Sequence, residues 1–242
     1  ARSLGHFSVS VGAREVTEEA WSSLRAKELF FLFLANPAGL RKEEAVGMLF
    51  PELPPAKCNS AFHSNLYRLR KAIYPESVVK RDNGYVLNPD ASFTWDVERF
   101  ESAIVQAQGL PAGSKERAAA YEEALVLYQG PFAEAFYSEW AGAIRARAAE
   151  HSQHALSALA GYYAGRQQFD EAAGCMQRIL ASDRFNEEAA FLLATYRSGA
   201  GETAAALAFI DDYRRSYSRE YGEDAPARFG HLRARIAAGG HG

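Results

Sequence analysis

Residues 57–87 read KCNSAFHSNLYRLRKAIYPESVVKRDNGYVL, and this stretch decides the fold. Phe62, Leu66, Leu69 and Ile73 follow one another at intervals of 4, 3 and 4, which draws one apolar stripe along an α-helix. At about 100° per residue, the opposite face carries Ser60, Ser64, Tyr67, Arg68 and Lys71, flanked by His63 and Arg70. Pro75 ends the helix, and Asp82-Asn83-Gly84 is a turn signal between two apolar-rich arms, so a hairpin follows. The stretch holds six Lys or Arg against two acids, Glu76 and Asp82, in a chain whose net charge is −3.

Upstream, Phe7, Val9 and Val11 alternate before Gly12, which predicts a short hairpin within residues 4–18. The apolar residues Leu29, Phe30, Phe33 and Leu34 predict a helix over 24–36, stopped by Asn36-Pro37 and Gly39. A second, shorter helix is expected over 41–50 with Ala45, Met48 and Leu49 inward, and Pro51, Pro54 and Pro55 separate it from the long helix. The expected order is therefore a β-ribbon, three helices and a hairpin. A helix with one buried and one basic face, followed by a hairpin with Lys80 and Arg81 near its tip, has the layout of a winged helix. Such a helix enters a DNA major groove while the wing reaches a neighbouring minor groove.

From Asp96 onward the pattern is helical throughout. Val97, Phe100 and Ile104 mark one helix and Tyr121, Leu125 and Tyr128 another; Gly130-Pro131 breaks the chain, and an Ala-rich helix runs over 140–164. Then Tyr162, Gly165, Gln168, Ala172 and Cys175 are matched 34 residues later by Tyr196, Gly199, Glu202, Ala206 and Phe209. A 34-residue period with aromatic, Gly and Ala at these points is the tetratricopeptide (TPR) signature. Each helix pair leaves an apolar face that stacking with the next pair buries. The expected fold class is mainly α: an N-terminal winged helix-turn-helix (α+β) over 1–93, then an all-α TPR-like helical domain over 94–242.

Composition sets limits around this reading. At 48% hydrophobic residues the chain can build real cores. No apolar run approaches the roughly 20 residues of a membrane span, and no signal-peptide pattern opens the chain. Cys58 and Cys175 lie far apart and read as reduced, structural thiols, although a disulfide is possible. Residues 1–95 hold 12 Lys+Arg against 10 Asp+Glu, and residues 96–242 hold 15 against 20, so +2 is followed by −5. This fits a DNA-touching part joined to a protein-touching one, though a difference this small is weak on its own. Catalysis has little support. GETAAAL (201–207) lacks the Lys of a phosphate-binding loop, and His151 and His154 lack an accompanying acidic metal-ligand motif. No enzyme activity, cofactor or metal is expected.

The first part resembles the OmpR-type winged helix, through LYRLRKAI and VVKRDNGYVL. The whole chain resembles the SARP-type (antibiotic regulatory protein) bacterial transcription activators, in which that winged helix precedes a bacterial transcriptional activation domain of TPR-like helices. The strings ALVLYQGPF (124–132), YRSGAGETAAALAFIDDYRR (196–215) and EYGEDAPAR (220–228) are similar to recurring blocks of that second domain. The resemblance implies base-edge contacts from Ala61, His63, Ser64, Tyr67 and Arg68, and phosphate contact from Arg70 with Lys71 beside it. It implies a minor-groove role for Arg81, near Lys80, and RNA polymerase contact at the loop FPELPPAK, where Glu52 is the exposed charge. It also implies promoter DNA with direct repeats, a homodimer or DNA-induced dimer, and a bacterial cytoplasmic setting. Tyr67 stands where many OmpR-type proteins have Arg, and Asp82 opposes phosphate approach at the hairpin tip.

Blander readings stay open for single residues. Arg68 can be a solvated arginine, Arg81 a plain hairpin charge, His63 a half-buried helix flank, and Tyr67 a residue packed along the helix surface. The tyrosines at 162, 163, 196 and 213 read as helix packing. For the whole chain, the alternative is an interaction or signalling scaffold whose winged helix no longer binds DNA specifically. Members of the resembled family often carry further domains, and a start at Ala1-Arg2-Ser3-Leu4 fits a piece of a larger regulator.

Overall fold

The computed structural model describes residues 1–239. It is mainly helical, with two small antiparallel hairpins. Contacts divide the chain into two compact units. The first holds residues 1–102 and 126–149; the second holds 103–125 and the described residues from 150 onward. These packing units differ from a division after residue 93, because 126–149 packs with the first.

The first unit opens with a hairpin of β1 (Ser10–Val11) and β2 (Arg14–Glu15). A four-residue helix, α1 (Glu18–Trp21), follows, which periodicity did not predict. Thr17 starts it by accepting a hydrogen bond from the Ala20 amide at 3.3 Å. α2 (Leu24–Ala35) is buried at every position from Ala26 to Phe33, so it is a central helix, not one with a single apolar stripe. Its two buried charges are partnered. The Lys27 ammonium lies 3.7 Å from the Phe7 ring centroid and bonds to Glu18. The Glu28 carboxylate accepts from Arg25 at 2.5 Å and from Ser138.

α3 (Lys42–Leu49) is capped reciprocally by Arg41 and Glu44, the Arg41 amide donating to Glu44 at 2.8 Å. Ala45, Val46 and Leu49 face inward. Met48, expected inward, is 39% exposed, because Val46 completes the buried side in its place. α4 (Pro55–Ala72) begins with Pro at its first position, where no intrahelical N–H is needed. The second hairpin pairs β3 (Val78–Arg81) with β4 (Gly84–Leu87), with Lys80 opposite Tyr85 and Arg81 opposite Gly84.

The later segment of this unit adds Phe132 and Phe136, both buried, whose rings lie 6.4 and 6.0 Å from Phe31. Ser3 accepts a backbone hydrogen bond from Ala133 at 2.9 Å. Trp95 and the buried Asp96 hold the other side of Ser3. The Trp95 indole donates to its hydroxyl at 2.8 Å, and Asp96 accepts from the amides of Ser3 and Leu4.

Three helices cross the division between units: α5 (Asp96–Gln108), α6 (Lys115–Leu127) and α7 (Glu139–Ala164). The second unit continues with α8 (Phe169–Ser182), α9 (Glu187–Gly199), α10 (Thr203–Tyr221) and α11 (Ala227–Ala237), each packed on the next. The 34-residue repeat is written into its backbone. Gln168 N donates to Tyr163 O, and Glu202 N donates to Arg197 O. Gln167 N donates to Ala164 O, and Gly201 N donates to Ser198 O. Gln167 and Gly201 both take left-handed backbone, at φ 60° and 85°. Ala172 and Ala206 then occupy equivalent, fully buried places on α8 and α10. The tyrosines do pack: Tyr213 stacks on Phe229 at 4.6 Å, and Tyr163 donates to Glu122.

Candidate nucleic-acid interface

α4 divides its residues cleanly. Phe62, Asn65, Leu66, Leu69 and Ala72 are buried, and Ile73, next after the helix, is also buried. Ser60, His63, Ser64, Tyr67, Arg68 and Lys71 are exposed, and Tyr67, at 68%, is the most open aromatic on the helix. Ala61, expected to point outward, is half-buried. Its carbonyl accepts the Asn65 amide at 2.8 Å, while the Asn65 oxygen accepts from Ser23 at 3.0 Å. Asn65 thus fixes the rotation of α4 against the start of α2. Periodicity could have flagged it as a polar residue within the buried face.

The C-terminal end of α4 is closed by a residue far away in sequence. Arg14, on β2, donates from Nη2 to the carbonyls of Ala72 and Ile73, at 3.1 and 2.9 Å. A cation at a helix C-terminus satisfies orphan carbonyls and opposes the negative end of the helix dipole. No local signal links Arg14 to this task.

The hairpin after α4 is held on both strands. Arg70, expected to reach phosphate, donates from both Nε and Nη2 to the Val78 carbonyl. On the other strand, Leu40 and Tyr85 exchange backbone hydrogen bonds of 2.9 and 2.8 Å. A Cβ on Gly84 would lie 2.9 Å from the Leu40 oxygen, so this approach needs glycine. Tyr85 also packs on Phe62, 5.0 Å between centroids, and His63 borders both rings. His63 is therefore an exposed imidazole leaning on the helix–hairpin junction. Asp82, at the turn, takes left-handed backbone at φ 50°, and Lys80 and Arg81 beside it are exposed.

Cations elsewhere along residues 1–93 are largely committed. Arg14 and Arg70 hold carbonyls, Arg25 and Lys27 serve the buried side of α2, Arg41 pairs with Glu44, and Lys42 reaches Asn59 and Glu43. The hydrogen bond from Arg41 holds the Glu44 carboxyl below its usual range. By contrast, Arg68, Lys71, Lys80 and Arg81 have no hydrogen-bond or ion-pair partner among the described residues, nor do the side chains of Ser64 and Tyr67. Lys57, at the start of α4, is likewise open, and Arg2 is the other uncommitted cation in this range. Glu52 is exposed in the α3–α4 connection. Among the described residues no cluster of three His, Cys, Asp or Glu forms a metal site, and no helix is long and apolar enough to cross a membrane.

Residues 95–237, more than half of the chain, match the bacterial transcriptional activator domain. The chain belongs to that family. The bacterial transcriptional activator domain thus begins at α5, directly after the second hairpin and its connecting loop. The described fold is also similar to the structure of Mycobacterium tuberculosis EmbR in complex with a low affinity phosphopeptide, with a TM-score of 0.70 at 19% identity. That similarity covers 98% of this chain and 64% of the EmbR chain, so this chain spans less than two thirds of that protein's length. Among curated proteins, none matches the sequence.

Proposed function

We propose that this member of the bacterial transcriptional activator domain family is a sequence-specific DNA-binding activator, with residues 1–93 forming an OmpR-type winged helix. The observation that carries the reading is the distribution of uncommitted cations. Arg68, Lys71, Lys80 and Arg81 are exposed and unpartnered on α4 and its hairpin, while most other cations of the segment are bound to the protein. On this reading α4 enters a major groove, where Ser64, Tyr67 and Arg68 meet base edges and Lys71 meets phosphate. Arg81, with Lys80, approaches the adjacent minor groove. The described residues from 94 onward form a TPR-like domain that contacts a second copy or RNA polymerase, and Glu52 offers a further polymerase contact. A dimer on direct promoter repeats follows from the same resemblance.

The direct test is selection of genomic fragments followed by titration in salt. Binding should prefer particular fragments and fall steeply as salt rises, because several phosphates are neutralised. Arg68→Ala should cost roughly 1–3 kcal/mol and relax preference at one base position. Equal affinity for selected and random DNA at moderate salt would sink the proposal. The second reading, an interaction scaffold with a retired winged helix, draws on Asp82 at the hairpin tip, and that same equality would favour it.

A further inference from the structure

Arg70 differs from its neighbours on α4. Arg68 and Lys71 are exposed; Arg70 is half-buried. Its Nε and Nη2 converge on one acceptor, the Val78 carbonyl oxygen, at 3.1 and 2.7 Å. Val78 is the first residue of β3, 1% exposed and paired with Leu87. The planar guanidinium therefore ties the last turn of α4 to the root of the hairpin. Lys80 and Arg81 lie two and three residues further along the same strand. The opposite strand is independently fixed through Leu40 and Phe62 at Tyr85. A strand anchored at its root and braced by its partner has its tip direction set by those anchors. The donors that a phosphate-binding arginine would present are here largely turned inward.

We propose that Arg70 is a positioning residue: it sets the reach of the hairpin cations relative to the outward face of α4, so that both address DNA together. This rests on the DNA-binding reading. A lysine at the same place keeps the charge but presents a point donor without the planar fork. Charge and geometry are thereby separable in one substitution.

The experiment compares the unmodified chain with Arg70→Lys, Arg70→Ala, Arg81→Ala and the double variant Arg70→Lys/Arg81→Ala, on the best selected fragment over a salt series. If Arg70 positions the hairpin, Arg70→Lys loses about tenfold in affinity and shows a shallower salt dependence, although its formal charge is unchanged. The double variant is then no more than about twofold weaker than the weaker single variant, because both remove the same hairpin contact. Hydrogen exchange without DNA supplies an independent readout. Amides of β3 and β4 should exchange about tenfold faster in Arg70→Lys, with the amides of Phe62 to Leu69 unchanged. If Arg70→Lys binds like the unmodified chain with the same salt slope, and Arg70→Ala alone flattens it, Arg70 is a phosphate contact and the inference is overturned. If the unmodified chain prefers no fragment, the DNA-binding reading falls. Hydrogen exchange then decides the positioning role, and unchanged hairpin exchange overturns it.

Discussion

The two compact units are built from different materials. Among the largest fully buried side chains, Trp21, Phe30, Phe31, Phe33, Phe62, Phe100, Phe132 and Phe136 belong to the first unit, and Tyr121 and Phe229 to the second. Among the described residues, completely buried alanines are four in the first unit (Ala26, Ala45, Ala141 and Ala148) and eight in the second, Ala172, Ala190, Ala194 and Ala206 among them. Rings of this size bridge elements at irregular sequence distances, which lets the first unit recruit Phe132 and Phe136 from beyond α6. Alanine faces let helices approach closely and do so again one repeat later, which favours a stack of similar pairs. One core is a lock of unlike parts; the other is a copied joint.

The sharpest way to break this comparison is Phe31→Ala. Phe31 meets Phe7, Phe30, Trp95, Phe132 and Phe136, so its removal should cost about 3–5 kcal/mol. Denaturant unfolding followed by tryptophan fluorescence measures this. A loss below about 1 kcal/mol, far short of the usual cost of such a deletion, would mean that the rings do not lock the unit. The second unit should fail in the opposite direction. Ala206→Leu adds volume where α9 and α10 meet the apolar cluster of Ala190, Ala194, Ile210 and Phe229, and should cost about 1–3 kcal/mol through overpacking. Unchanged thermal unfolding would show that close approach is not what the alanines provide.

The smallest effect concerns the two thiols, one in each unit. Burial pushes the Cys175 thiol up to about 11. The folded state therefore favours the protonated thiol. That contribution is fully present below the unfolded thiol value near 9 and is lost as pH rises through about 11. Cys58 is half-buried near the start of α4, its thiol facing the Leu53 and Pro54 carbonyls. At pH 8 an alkylating reagent should label Cys58 at least about tenfold faster than Cys175, since reaction requires an accessible thiolate. Peptide mass spectrometry reads this directly. Equal rates would mean that the packing around Cys175 opens freely.

The two materials also explain what could be read from the chain alone. α4 announces itself because its stripe is local: Phe62, Leu66 and Leu69 recur at helical spacing and are all buried. The repeat from Tyr162 to Phe209 is legible because similar joints leave Tyr, Gly and Ala at the same spacing. Met48 was misplaced because two turns of helix underdetermine a face, and α1 is too short to show a period. Arg14 beneath α4 and the return of Phe132 to Phe31 arise only after distant segments meet, so no window along the chain holds them. At the candidate interface, the outward residues were accessible to reasoning by phase, as Tyr67 and Arg68 show. The turning of Arg70 toward Val78 was not, because its acceptor is a backbone oxygen that any residue type supplies.

The discontinuity of the first unit has a consequence for birth rather than for function. When residue 102 leaves the ribosome, the unit still lacks the segment that brings Phe132, Phe136 and the Ser138 partner of Glu28. Roughly fifty further residues must be translated, a delay of about 2–10 s at ordinary elongation rates. During that interval the nascent α2 presents Phe31 without two of its ring neighbours and Glu28 without Ser138, while α5 and α6 emerge. A chaperone that recognises exposed aromatics has its opportunity then, and a pause taken once residue 149 has left the ribosome would give the unit time to close before the copied joints of the second unit emerge.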